Sequence, residues 1–217
     1  MDIEKFKNDI RSSYDTVAEK YAELYYNELE KKPFDRNLLE RFADLVRDKG
    51  PVCDMGCGPG QIARFLKDSG IDAFGIDLSP GNIELARKLN PDIEFTTGDM
   101  MELEIEDDSW AGIAAFYSII HIPRDKITDT LSELNRALKP GGILLMSFHL
   151  GSEILLIEEL WGEDVCFEFY YFKKEEIEKS VLAAGFNIME SRIRNPYKDI
   201  EYESKRCYIM VDKPDLR

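Results

Sequence analysis

The segment Val52-Cys53-Asp54-Met55-Gly56-Cys57-Gly58-Pro59-Gly60 sets three glycines at alternate positions behind a short apolar run. Glycine lets a chain turn sharply and lets a ligand approach the backbone closely. The helix start predicted beyond it offers unpaired N–H groups and a positive dipole end, which suit a carboxylate or phosphate. Asp54 stands two residues before the first glycine, Asp77 ends the next apolar run, and Asp99 follows a third in Thr97-Gly98-Asp99-Met100. A carboxylate has two acceptor oxygens, so Asp77 can take both hydroxyls of a ribose. At Asp99 a carboxylate can accept from an exocyclic amino group, while the next N–H donates to a ring nitrogen. The dinucleotide fingerprint GxGxxG would need its third glycine at position 61, which is Gln61.

Positioning these groups requires an alternation of strands and helices. Asp2–Tyr26 reads as a helix with Tyr14, Ala18, Tyr21 and Tyr25 along one face, and Phe34–Asp48 as a second helix ended by Gly50-Pro51. Strands are expected at Val52–Met55, Ala73–Asp77, Ile93–Thr96, Trp110–Tyr117 and Ile143–Phe148. Helices are expected at Gln61–Ser69, at Ser79–Leu89 and, with Pro123 in its first turn, at Pro123–Leu138. Pro140-Gly141-Gly142 reads as a tight turn. This order predicts an α/β fold, a Rossmann-like doubly wound sheet with helices on both faces. Residues 150 to 172 are aromatic and acidic without a clear period. A helix over Lys173–Ala184 should end at Gly185, and strands over Phe186–Ile193 and Ser204–Val211 should pair as a hairpin, giving one antiparallel strand near the C-terminus. A single domain is expected, with residues 1–50 as an N-terminal helical cap, 51–149 as a ligand-binding core, and 150–217 as a lid and terminal hairpin.

With 43 acidic and 28 basic side chains the formal net charge is −15, which argues against nucleic acid and against anionic membrane surfaces as partners. Cys53, Cys57, Cys166 and Cys207 form no CxxC pair and His121 and His149 stand apart, so no metal site is expected. Sparse cysteines fit a reducing cytoplasm, the charged start MDIEKFKND does not read as a signal peptide, and no apolar stretch is long enough to span a bilayer.

The combination VCDMGCGPG, GIDLS, TGDM, FYSIIHI and LKPGG, over about Val52 to Phe148, resembles the class I S-adenosylmethionine-dependent methyltransferases; the YDxxAxxY spacing from Tyr14 to Tyr21 resembles their small-molecule branch. The resemblance implies S-adenosylmethionine as cofactor and a small-molecule methyl acceptor. It implies that Gly56, with Asp54, Gly58 and Gly60, passes beneath the methionine portion and that Asp77 holds the ribose. Leu78 would pack on adenine, Asp99 and Met100 would read its edge, and Tyr117 would offer backbone to the methionyl amino group. Tyr14 and Tyr21 would close over the cofactor. Orienting a nucleophile in line with a methyl group needs no metal, and His121 is the candidate base if the acceptor must first lose a proton. Trp161, Phe167, Phe169, Tyr170 and Tyr171 are expected to line an acceptor chamber. Alternation puts Tyr202, Ser204, Arg206 and Tyr208 on one side of a strand, facing an anionic or phenolic acceptor. Two other functions remain open: a non-catalytic S-adenosylmethionine-binding regulatory protein, and an NAD-dependent oxidoreductase.

Overall fold

The computed structural model describes residues 2–215. The described residues form nine strands and six α-helices, which follow the expected alternation as far as β5. Helix α1 (Ile3–Tyr25) is capped by Asp2, whose carboxylate accepts from the N–H groups of Glu4 and Lys5. A 3₁₀ turn (Glu28–Lys31) leads into α2 (Pro33–Val46). Then come β1 (Val52–Met55), α3 (Gln61–Asp68), β2 (Ala73–Asp77), α4 (Pro80–Leu89), β3 (Phe95–Thr97) and β4 (Trp110–Phe116). A 3₁₀ turn over Ile119–His121 precedes α5 (Ile127–Ala137) and β5 (Leu138–His149). The chain ends with β6 (Ile154–Leu160), β7 (Glu163–Tyr170), α6 (Lys174–Ala183), β8 (Asn187–Arg194) and β9 (Arg206–Asp212).

Seven strands form one sheet in the order β3-β2-β1-β4-β5-β9-β8. β1 to β5 run parallel, and β9 pairs antiparallel with both β5 and β8. The single antiparallel strand therefore sits inside the sheet, because the connection from β8 returns β9 beside β5. The strand order reverses at β1 and β4, and the ends of these two strands border the crevice where open α/β sheets bind ligands.

Two departures from the sequence reading have local causes. Pro140-Gly141-Gly142 is a bulge within β5, not a turn: pairing with β4 jumps from Trp110–Leu138 to Gly112–Ile143, and Gly141 has φ 72°. Residues 150 to 172 fold mostly as a β6–β7 hairpin, a separate two-stranded sheet. Its turn is Trp161-Gly162, both with positive φ, as a two-residue hairpin turn requires. Tryptophan is not a usual turn residue, so the sequence carried no hairpin signal there.

The regions expected as cap and lid also divide differently. Helix α2 covers the sheet face, burying Leu39, Phe42 and Val46 against Val52, Ala114 and Leu145, so of the first fifty residues only α1 and the following turn lie beside the crevice. β8 and β9 belong to the main sheet. The β6–β7 hairpin packs Val165 and Phe167 on Val17 of α1 and so supports that helix from outside. Among the described residues, no helix is long and apolar enough to cross a membrane.

Candidate functional site

A cleft opens at the carboxyl ends of β1, β2 and β4. It is walled on one side by Phe6, Lys7, Ile10, Tyr14 and Tyr21 of α1. The glycine turn forms its floor. Gly56 has φ 72°, and a Cβ built there would overlap the Cβ of Ser118, so only glycine allows the chain to pass this close to the end of β4.

The acids that the sequence singled out take distinct positions. Asp54, on β1, accepts from Ala63 N–H at 2.9 Å. The residue before α3 is Gly60, which has no side chain for capping, so Asp54 supplies the missing cap from the neighbouring strand. Burial raises its pKa to about 8, against the offsetting Ala63 N–H bond and with a further push from Asp77. Asp77 accepts from Gly58 N–H and Ser79 N–H, both at 2.8 Å, and from Asn82 Nδ2 at 3.3 Å. Burial raises its pKa as well, in spite of those donors. Ser79 and Asn82 fill the two sites of Oδ1, so of the roughly four lone-pair sites of the carboxylate one remains, on the Oδ2 that Gly58 also bonds. Asp99 accepts from Met101 N–H at 2.8 Å and pairs with Lys7 Nζ at 2.6 Å.

Three buried side-chain atoms on the cleft lining have no hydrogen-bond partner: Gln61 Oε1, Asn82 Oδ1 and Ser118 Oγ. Buried polar atoms are normally paired, so these three are open to hydrogen bonds from a ligand.

His121 lies buried at the end of the 3₁₀ turn after β4. Its Nδ1 is 3.3 Å from the Glu168 carbonyl, and its Nε2 is 2.7 Å from the Tyr14 hydroxyl. A carbonyl can only accept, so the ring proton sits on Nδ1 and the Nε2 lone pair accepts from Tyr14. Burial lowers the imidazole pKa to about 4, against the Glu168 bond. Burial, with Asp77 and Tyr25 adding to it, holds the Tyr14 phenol well above its ordinary value. His121 is thus a neutral group that fixes Tyr14.

Asp15, the second residue of the YDxxAxxY spacing, ties α1 across the site. Its Oδ1 accepts from Ser79 Oγ at 2.5 Å and Gly81 N–H at 2.8 Å, where Ser79 is itself the N-cap of α4. Lys7–Asp99, Tyr14–His121 and Asp15–Ser79 are therefore three polar bonds that hold α1 over the cleft. The YD pair was visible in the sequence, but its partners, more than sixty positions away, were not.

Tyr14, Tyr21, Asp54, Gly56, Gly58, Asp77, Leu78, Asp99, Met100, Tyr117 and His121 all line this cleft. Tyr117 has φ 52°, a strained conformation for a bulky residue, and its hydroxyl is committed to Tyr208 at 2.9 Å. Ten other expected residues do not line the cleft: Gly60, Trp161, Phe167, Phe169, Tyr170, Tyr171, Tyr202, Ser204, Arg206 and Tyr208. Gly60 faces Phe95, whose ring would meet a Cβ at 2.7 Å; its role is close packing and the helix start. Trp161 is at the hairpin tip, 6.2 Å from the Tyr25 ring. Tyr170 is buried against Phe6 and donates to Glu168. Tyr202 is 64% exposed in the loop before β9, because the strand begins only at Arg206 and the assumed alternation does not reach it. Arg206 is buried, with Nη1 bonded to the carbonyls of Tyr202 and Ser204 and Nε beside Glu201. Phe167 and Phe169 pack on His121 at 5.7 and 4.8 Å between ring centroids, backing the dyad from behind.

Comparison with known proteins bears on the family and the fold. Residues 52–142 match a protein family described as a methyltransferase domain. A malonyl-[acyl-carrier protein] O-methyltransferase of Enterobacter lignolyticus is 26% identical over 159 residues, 71% of this chain and 59% of the relative. The chain spans less than two thirds of the length of such curated relatives. Among solved structures, a SAM-dependent methyltransferase of Methanosarcina mazei superposes with TM-score 0.72 at 18% identity, covering 80% of this chain and 96% of its own. The protein of the DhpI–SAH complex superposes with TM-score 0.75 at 18% identity, covering 98% of each chain.

Proposed function

We propose that this chain, which belongs to the class I S-adenosylmethionine-dependent methyltransferases, binds that cofactor in the α1-covered cleft and methylates a small molecule by direct in-line transfer. The observation that carries this reading is the set of unpartnered acceptors and buried acids along one cleft whose floor, at Gly56, only glycine can form.

The residues present fit the cofactor. Asp77, with the orphan Asn82 Oδ1 beside it, offers acceptors for two ribose hydroxyls. Asp99 and the Met100 backbone stand at the next strand end for the adenine edge, and Leu78 offers an apolar surface to the ring. Gly56 and Gly58 give room for the methionyl chain, and Tyr117 offers backbone to its amino group. When bound, the cofactor supplies an electrophilic methyl group on a sulfonium.

The chain's own task is then to orient an acceptor and exclude water. Phe6, Ile10, Tyr14 and Tyr21 close one wall, and the bonds from Lys7, Tyr14 and Asp15 hold that wall in place. A proton leaving the acceptor reaches His121 only through Tyr14, because Tyr14 occupies the Nε2 lone pair. His121 therefore acts as a positioning residue for Tyr14, not as a freely exposed base. Malonyl-[acyl-carrier protein], the substrate in the name of the relative above, carries a carboxylate. No free cation stands ready for such a group here: Lys7 is bound to Asp99, and no arginine lines the cleft among the described residues. This favours an acceptor without negative charge. The cysteines are all unpaired thiols, which supports a reducing, cytoplasmic setting.

Calorimetric titration with S-adenosylhomocysteine and with NADH tests the reading. Saturable binding of S-adenosylhomocysteine alone is expected, followed by transfer of labelled methyl to members of a panel of phenols, amines and thiols. Binding of NADH alone would overturn the reading, and tight cofactor binding with no transfer to any acceptor would favour a regulatory protein.

A further inference from the structure

We propose that Glu28 and Gln61 form a subsite for a primary ammonium group at one end of the cleft, an inference that rests on the methyltransferase reading. Glu28 begins the 3₁₀ turn after α1 and Gln61 begins α3; both line the cleft. Gln61 Nε2 lies 3.5 Å from Glu28 Oε1, a long contact, and Gln61 Oε1 is buried without a donor. Glu28 Oε2 is bound to Lys32 Nζ at 2.5 Å, and Lys32 in turn pairs with Glu201 at 3.3 Å. One oxygen of Glu28 is therefore committed, while Oε1 has only one long contact.

Two underused acceptors on the same wall, one of them charged, select a ligand group with several donors and positive charge. An ammonium has three donors and no acceptor; a hydroxyl brings one donor, and a carboxylate or phosphate brings none. The neighbouring aromatic rings agree. Tyr21 and Tyr25 stand 4.8 Å apart between centroids, and their faces attract a cation. Burial, followed by the charge of Glu28, holds both phenols protonated, so they add no competing anion. The two side chains meet only in the folded molecule, 33 positions apart in the chain.

The ammonium has two possible sources: the amino group of the cofactor's methionyl portion, or an amine acceptor. Titration of the full chain and of its Glu28→Gln and Gln61→Leu variants separates them, with thermal melts to confirm folding. One pair of probes is S-adenosylhomocysteine and 5′-methylthioadenosine, which lacks the amino-acid tail. The second pair is phenethylamine and 2-phenylethanol, added in the presence of S-adenosylhomocysteine. Loss of one charged hydrogen bond weakens binding about tenfold or more. If the variants lose that affinity for S-adenosylhomocysteine and keep it for 5′-methylthioadenosine, the subsite holds the cofactor tail. If instead they lose it for phenethylamine alone, the subsite holds the acceptor. If neither pair is separated by the variants, the inference is overturned while the methyltransferase reading stands. If the unmodified chain binds no S-adenosylhomocysteine, the reading itself falls and the inference with it.

Discussion

Two groups of buried acids lie on either side of Tyr117, and they are satisfied in opposite ways. On the cleft side, Asp54 and Asp77 are held by backbone N–H groups and one amide, with no cation in contact among the described residues. On the far side, Asp35 and Glu201 are held by Arg194 at 2.7 and 2.5 Å, with Lys32 and Arg206 also beside Glu201. Tyr208 donates to Asp35 at 2.8 Å and also bonds to Tyr117, which connects the two groups. Glu201 titrates at about 2: burial opposes ionisation, but the Arg194 bond, the Tyr197 N–H and the nearby positive charges outweigh it. Asp54 titrates at about 8 because nothing positive repays its burial. The difference separates architecture from function. A buried acid matched by arginine closes a packing problem, whereas one matched only by N–H groups leaves a site receptive to a positively charged ligand.

Breaking the paired side should have the largest effect. Replacing Arg194 by methionine leaves Asp35 and Glu201 buried without their main partner, and removal of one member of a buried pair costs roughly 3–5 kcal/mol. Chemical denaturation should show that loss as a lower midpoint at unchanged slope; a change under about 1 kcal/mol would place the cluster among surface ion pairs.

A pH series sharpens the contrast, because the two acids carry opposite signs. The folded pKa of Glu201 is depressed to about 2 from 4.5, so its stabilisation is present above 4.5 and lost as pH falls through about 2. The folded pKa of Asp54 is raised to about 8 from 3.8, so its contribution is fully present below 3.8 and declines as pH rises through about 8. Asp54→Asn should flatten the stability profile between those two limits, and Glu201→Gln should flatten the acid limb instead. The same asymmetry predicts proton release near neutral pH when a sulfonium cofactor binds, seen as a binding enthalpy that depends on the buffer's ionisation enthalpy. A buffer-independent enthalpy would remove Asp54 from electrostatic contact with the ligand.

The smallest effect is expected at Tyr202. It is 64% exposed and lies off both groups, so Tyr202→Ala should change stability by no more than about 0.5 kcal/mol and leave cofactor affinity unaltered. A clear drop in cofactor affinity would return the loop before β9 to the site.

The sequence by itself determined the parallel half of the sheet, the glycine turn and the acids at three strand ends. These follow from near neighbours: apolar period sets strand and helix, glycine permits the turn, and a strand's end lies where its apolar run stops. It did not determine the partners of those acids. Asp15 meeting Ser79, Lys7 meeting Asp99, Tyr14 meeting His121 and Glu28 meeting Gln61 each join residues far apart in the chain, as does the Arg194–Asp35 pair. Nor did it show that Arg206 is buried among carbonyls while Tyr202 stays in solvent, since that depends on where β9 begins to pair with β5. Local period and turn chemistry act over a few residues and are written in order along the chain. Charge pairing and burial act through space, and only the packing of α1, α2 and the last two strands against the sheet decides them.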